Sequence, residues 1–415
     1  MERGGREFGA RPKQTRHCNR ERSAECHWGG DPEKARRAMN WSQETCVTLE
    51  NGCGTQLHFG RCRRLFAEQL AGCFFFARAA EENVRETKRS EFERMNHLTA
   101  LLLGFGVDLL LGDPRWLPHP VQGIGWLIGK LEAALRRCFP TTERGERRAG
   151  VWLAALTVGL TGLTTGLCLF LAGLLHPAAR FALEVVISWQ ILATKSLRRE
   201  TMKVIRALEH GTLEDARRAV SMVVGRDTAQ LTEAEVLAAD VETVAENAAD
   251  GILAPLLWAA VLGPVGGMCY KAVNTLDSTV GYQNERYLNF GRASALLDDA
   301  CNWVPARVAG FLMCLAAFCG FDGHGALRVF FRDRRNHKSP NSAHTEAACA
   351  GALGLQLGGT HLYFGRPVVK PTIGDAVRPI CRRDVKRAND LALLTALLAL
   401  LLFDVLPLVI WRIWL

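Results

Sequence analysis

The feature that most constrains this chain is Val151–Leu175, VWLAALTVGLTGLTTGLCLFLAGLL, 25 residues without a charge. At ~1.5 Å per residue a helix of that length reaches about 37 Å, more than the ~30 Å hydrocarbon core of a bilayer. A soluble core seldom holds so long an uncharged run, so a membrane span is expected. Gly159, Gly162 and Gly166 recur at spacings suited to close helix packing in lipid. Leu391–Trp411 is a second strong span, with Asp404 and Pro407 near its end. Four weaker runs, Leu98–Leu111, Phe181–Thr194, Ile252–Met268 and Val308–Gly320, are short or interrupted by charge, Gly or Pro. Roughly five or six apolar elements result. In lipid the backbone must satisfy its own hydrogen bonds. The expected fold is therefore all-α, a polytopic membrane bundle with cytoplasmic helical loops.

Overall composition conceals this, with 48% hydrophobic and 22% charged residues over 415 positions. It averages two unlike parts. Residues 1–94 carry 18 Lys+Arg and 14 Asp+Glu and no long apolar run, whereas the uncharged stretches all follow Met95. No block of like charge is long enough for a nucleic-acid arm, so no nucleic-acid partner is expected. The eight Cys after Met95 mostly sit among apolar neighbours and read as buried free thiols. Loops 115–150, 197–250 and 321–390 carry seven, seven and twelve Lys/Arg, against Arg180 alone in the turn 176–180. The basic loops are thus expected in the cytoplasm and the turn outside.

Between Leu197 and Asp250 the pattern is that of amphipathic helices. Thr212 and Asp215 predict a capped helix running to Val224. A second, from Thr232 to Ala249, would set Glu235, Glu242, Glu246 and Asp250 on one face. Residues 321–390 read as loops with short helices.

Polar residues then gather between Gly225 and Arg307. The runs are GRDT (Gly225–Thr228), AEN (Ala245–Asn247) before Asp250, YKAVNTLDS (Tyr270–Ser278), GYQNERY (Gly281–Tyr287), LDD (Leu297–Asp299) and PAR (Pro305–Arg307). Carboxylates of this kind hold magnesium, and Arg226, Lys271 and Arg307 suit phosphate oxygens. An acidic helix face can equally be a solvated one, and a Lys after an apolar run can be an interface anchor. His119, in the dipeptide before Pro120, reads either as a substrate contact or as a structural loop residue. Asp108, in an apolar stretch, is a functional candidate or a cap of the turn that follows. The Gly-rich stretch Ala350–Gly359 reads as tight helix packing.

Taken in order, these motifs resemble the CobD/CbiB family of adenosylcobinamide-phosphate synthases. The resemblance runs through GDP (Gly112–Pro114), HPVQGIG (His119–Gly125), GRDTAQL (Gly225–Leu231) and ETVAENAADGILAP (Glu242–Pro255). It continues through YKAVNTLDSTVGYQNERY (Tyr270–Tyr287), FGRASALLDDACNWVPAR (Phe290–Arg307) and SPNSAHTEAACAGALGLQLGG (Ser339–Gly359). The resemblance implies a ligase of the bacterial cytoplasmic membrane, its active site facing the cytoplasm. It would join aminopropanol, or aminopropanol phosphate, to a propionate of adenosylcobyric acid as an amide, using ATP as co-substrate with magnesium. From residue chemistry, Glu242, Glu246, Asn247, Lys271, Asn274, Asp277, Asp298 and Asp299 are the catalytic candidates. His119, Arg226, Asp227 and Arg307 are candidates for substrate and phosphate binding, and Glu246, Asp298 and Asp299 for magnesium. No Walker-type phosphate loop occurs. Membrane lipid and other corrinoid-assembly enzymes are expected partners. A corrinoid or cobalt transporter and a non-catalytic scaffold are the alternatives, but no internal repeat favours transport.

Two local expectations complete the reading. Ile252–Met268, with Pro255, Pro264 and Gly266-Gly267, should be re-entrant, since acidic residues precede it and YKAVNTLDS follows it. Residues 1–94, rich in Arg and without hydrophobic periodicity, read as a leader translated from a start placed too early. Their Cys and His fit no compact zinc module. Codons for Ser42–Cys46 and Cys26–Trp28 can spell conserved stretches of the cobalamin riboswitch.

Overall fold

The computed structural model describes residues 93 and 95–414, apart from 115, 364 and 365. The expectations for the segment before Met95 lie outside the described residues. Helix α1, Met95–Leu111, stops where Gly112 takes a φ of 61°, a conformation that suits glycine. Helix α2, Pro120–Cys138, starts with Pro in its first turn and His119 as its cap, the Nδ1 accepting from the Val121 N–H at 3.2 Å. Helix α3, Glu143–Leu175, contains the long uncharged run and adds a charged first turn. After a turn at His176, α4 (Pro177–Ile191) returns against it.

Helices α5 (Thr194–His210), α6 (Leu213–Ser221) and α7 (Glu233–Asn247) are amphipathic. The expected cap forms as a reciprocal capping box of Thr212 with Asp215, and a second one, not expected, joins Thr232 with Glu235. Helix α6 is shorter than expected, ending at Ser221 rather than Val224. A π-helical turn, Ala248–Leu253, leads into α8, Ala254–Val280.

Among the described residues four stretches are long and apolar enough to cross a membrane: Glu143–Leu175, Glu233–Val280, Arg292–Ala317 and Arg382–Ile413. The second does not run straight. At Gly263 the backbone breaks (φ 69°, ψ −170°) just before Pro264, and the chain doubles back. A β-carbon added at Gly267 would lie 3.2 Å from that of Ala259. The Tyr270 hydroxyl lies 3.0 Å from the Asp250 carbonyl oxygen. In a straight helix those two residues would be about 30 Å apart. Ile252–Met268 is therefore the apex of a helical hairpin whose ends meet. At the apex, Gly263 packs on His97, whose Nδ1 lies 2.8 Å from Glu184 Oε2, and Arg180 pairs with Glu184 at 3.0 Å. The apex thus reaches the end of the bundle that carries the turn 176–180. The hairpin's open end lies with the start of α3, where Gly150 packs on the Phe290 carbonyl.

Helix α9, Arg292–Ala317, packs along the hairpin. Helices α10 (Gly323–Asp333) and α11 (Ala343–Leu353) follow, then a two-stranded antiparallel hairpin, β1 (Gln356–Tyr363) with β2 (Arg366–Gly374). These strands were not expected. Tight packing holds for Gly351, which abuts Gly325 and Ala326, but the stretch then opens into β1 with a register shift at Gly358 and Gly359. Helix α12, Arg382–Leu400, passes through a π-helical turn, Leu401–Val405, into α13, Leu406–Trp414.

Two hydrophobic cores result. One gathers α1–α4, α8, much of α9 and the end of α12. The other gathers α5–α7, the end of α9, α10, α11, the strands and the start of α12. Outside the first core α3 stays bare, with Leu163, Phe170, Leu174 and Leu175 exposed. Such an apolar face needs lipid. Of Gly159, Gly162 and Gly166, Gly162 packs on Cys269, whereas the other two face open space. All eight described cysteines are free, but only Cys314 and Cys349 are buried.

Candidate active site

The open end of the hairpin brings together residues far apart in the chain. Helix α8 lays Lys271, Asn274, Thr275 and Ser278 along a cleft of about 410 Å³. Its other wall is the turn from Asp113 to Gln122 with the end of α4 and Ala193. That turn is fixed from behind. The Trp189 indole N–H donates to the Gly112 carbonyl at 2.9 Å, and the Asp113 N–H donates to Ser196 Oγ at 3.1 Å. His119 Nε2 faces Asp113 Oδ1 at 3.6 Å. His119 is therefore both the cap of α2 and a wall of the cleft. Burial pushes the Asp113 carboxyl up, but the His119 ring, the Ser196 hydroxyl and the charge on Lys271 outweigh it and leave it below its ordinary value. Asp108 lies behind Lys271, within electrostatic reach. Its Oδ2 accepts from the Thr194 N–H at 2.9 Å, so it caps the start of α5 rather than the turn that follows it.

A carboxylate cluster stands beside this cleft. Asp250, Asp277, Asp298, Asp299 and Glu246 lie within electrostatic reach of one another. In a straight helix Asp250 and Asp277 would be about 40 Å apart. Asp298 Oδ2 accepts from Asn302 at 3.0 Å, and Asn302 Oδ1 lies 2.8 Å from the Tyr270 hydroxyl. Asp299 is held by Asn341, which donates to its carbonyl at 2.9 Å, and by the Ser339 hydroxyl at 3.3 Å. Glu246 Oε1 accepts from the Ser342 hydroxyl at 2.9 Å.

On the outer side of Glu246 lies a mixed-charge group. Arg226 is buried and pairs with Glu242 at 2.8 Å, whose other oxygen accepts from the Gly358 N–H at 2.8 Å. The strand bulge therefore serves to anchor Glu242. Glu346, buried on α11, feels Glu246 and Glu242 as well as Lys370 and Arg226. Burial first, then those two carboxylates, push its carboxyl well up.

The structure thus draws Glu242, Glu246, Lys271, Asn274, Asp277, Asp298, Asp299, His119 and Arg226 to one end of the molecule. Arg307 joins at the edge, stacked 4.1 Å over the Trp303 ring and 3.4 Å from Asn341 Oδ1. Asp227 is exposed, and Asn247 turns its amide onto the Thr243 carbonyl of its own helix at 2.9 Å. Glu235 is engaged in its capping box with Thr232. Sequence reasoning missed Asp113, Asn341, Ser342 and Glu346. The motifs GDP and SPNSAHTEA contained all four, but only the packing of distant segments shows what they meet.

Among the described residues no group of three or more His, Cys, Asp or Glu forms a ready metal shell. Glu246, Asp298 and Asp299 are each held by separate partners instead. Yet Asp298 Oδ1 is buried without a partner among neighbouring carboxylates. That fits magnesium, which takes one or two carboxylates and fills its shell with water and phosphate oxygens.

The CobD/CbiB protein family model matches residues 101–392, a span covering both the cleft and the carboxylate cluster. The chain belongs to the CobD/CbiB family. It is 54% identical over 284 residues to the cobalamin biosynthesis protein CobD of Geobacter metallireducens, covering 68% of this chain and 87% of that one. The CobD of Listeria monocytogenes serovar 1/2a is 45% identical over 300 residues, 72% of this chain and 95% of its own. The CbiB of Salmonella typhi is 44% identical over 308 residues, 74% and 96%. No solved structure matches the chain. This family member is a cobalamin biosynthesis protein with a helical, polytopic membrane architecture.

Proposed function

We propose that the protein is an ATP-dependent ligase that joins aminopropanol, or its phosphate, to a propionate of adenosylcobyric acid. The observation that supports this most is the hairpin at Gly263, which sets a lysine-bearing cleft beside a carboxylate cluster. Amide formation from a free carboxylate in water is uphill. The acid therefore attacks the γ-phosphorus of ATP, ADP leaves, and an acyl phosphate forms. The amine then adds to the acyl carbon, phosphate leaves, and a base takes the ammonium proton.

The residues divide by chemistry. Arg226 and Arg307 flank the carboxylate cluster on two sides and suit phosphate oxygens. Asp298, with Asp277 or Asp299, would hold the magnesium that arrives with the nucleotide and offsets its charge. The hydrogen bonds from Asn302, Ser339, Asn341 and Ser342 keep these carboxylates in place without neutralising them. The Tyr270–Asn302 contact ties the two arms of the hairpin to α9, so the cluster depends on the fold-back.

The site lies at the end of the bundle where the basic loops begin, so we place it on the cytoplasmic side of the bacterial cell membrane, where ATP is found. The acyl-phosphate route is tested with heavy oxygen in the propionate. One labelled oxygen should appear in the released phosphate. Unlabelled phosphate alongside amide product would exclude that route.

A further inference from the structure

Two opposite charges line the cleft, and they identify which substrate belongs in it. We infer that the cleft between Asp113 and Lys271 is the pocket for the amine, an amino alcohol carrying a phosphate at its far end. This rests on the ligase reading above and assigns one of its three substrates to one lobe of the site.

Lys271 is only 9% exposed, yet it lines the cleft, and its ammonium makes no hydrogen bond among the described residues. A buried ammonium is costly unless an anion completes its surroundings. Asp113 and Asp108 reach it electrostatically, but neither is hydrogen-bonded to it, and Asp108 is spent on the α5 cap. The amides of Asn274 and Gln122, also lining the cleft, make no hydrogen bond to protein among the described residues. An ammonium and an unspent amide one turn apart on α8, faced by a second unspent amide on the opposite wall, suit a phosphate group. Across the cleft, the Asp113 carboxylate suits a ligand ammonium.

The other substrates fit worse. Among the described lining residues Lys271 is the only Lys or Arg, and Asp113 opposes it. A triphosphate would meet too little positive charge, since nucleotide sites spread several cations and magnesium over the phosphates. A corrin macrocycle exceeds a cleft of about 410 Å³, which is near the small end of ligand pockets. A zwitterion with its two charges at opposite ends matches both walls. Asn274 and Asp277 are one helical turn apart on α8, so an amine held here lies at the border of the carboxylate cluster.

The test is calorimetric titration of the full chain in detergent with aminopropanol phosphate, no nucleotide being present. Unphosphorylated aminopropanol and a magnesium-bound non-hydrolysable ATP analogue are titrated separately. Lys271→Gln should weaken aminopropanol phosphate by about ten- to a hundredfold, the worth of one charge-assisted contact. It should leave aminopropanol and the nucleotide analogue near their original affinities, and Lys271→Arg should restore part of the loss. Asp113→Asn should weaken both amines. Gln122→Ala, on the exposed rim, should weaken aminopropanol phosphate alone and guards against misfolding of the buried variants. A Lys271→Gln protein that loses the nucleotide but keeps the amine overturns the assignment. Amide synthesis by the wild type together with Lys271-independent amine binding would also overturn it, and would leave the ligase reading standing. Lys271-dependent amine binding by a wild type that makes no amide would do the reverse.

Discussion

His344 shows how a single residue ties the site to the packing around it. It is 4% exposed, its ring lies edge-on to Phe330, and its Nδ1 has no partner. Burial first, then the charge of Arg307, pull its pKa down to about 4. A depressed histidine stabilises the fold above its unfolded pKa of ~6.5 and ceases to do so as pH falls through the folded value. The protein should therefore lose thermal stability between pH ~6.5 and about 4, and His344→Gln should flatten that slope when melting is followed against pH. Glu346 acts in the opposite direction. Its raised carboxyl must ionise against burial as pH climbs, so Glu346→Gln should raise the melting temperature at neutral pH, the difference vanishing below pH ~4.3. A variant that melts lower at neutral pH would show that Glu346 is held ionised by its cations. Two further substitutions concern the chemistry. Asp299→Asn and Lys271→Ala should each lower amide formation by ~10²–10³ while membrane insertion is kept. Near-full turnover in either would remove that residue from the proposed machinery.

At the scale of elements, the hairpin makes the strongest demand. Gly263 has a φ of 69° with ψ −170°, a conformation essentially closed to other residues, and a β-carbon there would only touch the His97 ring at 3.4 Å, so the cost is one of backbone strain. Gly263→Ala should cost about 1–3 kcal/mol and weaken the Tyr270–Asp250 contact. Single cysteines at Ala234 and Thr279, both exposed and flanking the hairpin, should react with an impermeant thiol reagent from the same side of the membrane. Labelling from opposite sides would mean that the chain crosses here. The Pro and Gly content of Ile252–Met268 and the acidic and basic motifs at its two ends were enough to foresee that the helix does not run straight. The capping box at Thr212 was legible for a simpler reason, as it depends on residues three apart, whereas Glu235, three after Thr232, was read onto the acidic face. The strands β1 and β2 were not, because Gly358, Gly359 and Pro371 interrupt the alternation that marks a strand. Glu346 escaped notice inside AHTEAACAGAL, whose small residues read as helix packing, and that packing is also present. Glu242 and Glu246 on α7 lie about a hundred residues before it and Lys370 lies on β2, and no local pattern encodes such a meeting.

At the scale of the molecule, two cores meet at one end of a bundle, one facing lipid through α3 and the other built from amphipathic helices. The candidate site lies where they join, since α7 and α11 come from the second core and α8 from the first. We propose that this junction and not the segment before Met95 carries the activity. A chain beginning at Met95 should complement a corrinoid-assembly mutant as well as the full chain, and failure of the shorter chain alone would refute that. The central claim is that this end of the bundle makes an amide at the expense of ATP. The direct measurement supplies purified protein in detergent with adenosylcobyric acid, magnesium-ATP and aminopropanol phosphate, and reads the products by mass. A new amide formed in step with ADP is the predicted result. Intact substrates, with protein shown to be folded and to bind the nucleotide analogue, would contradict it.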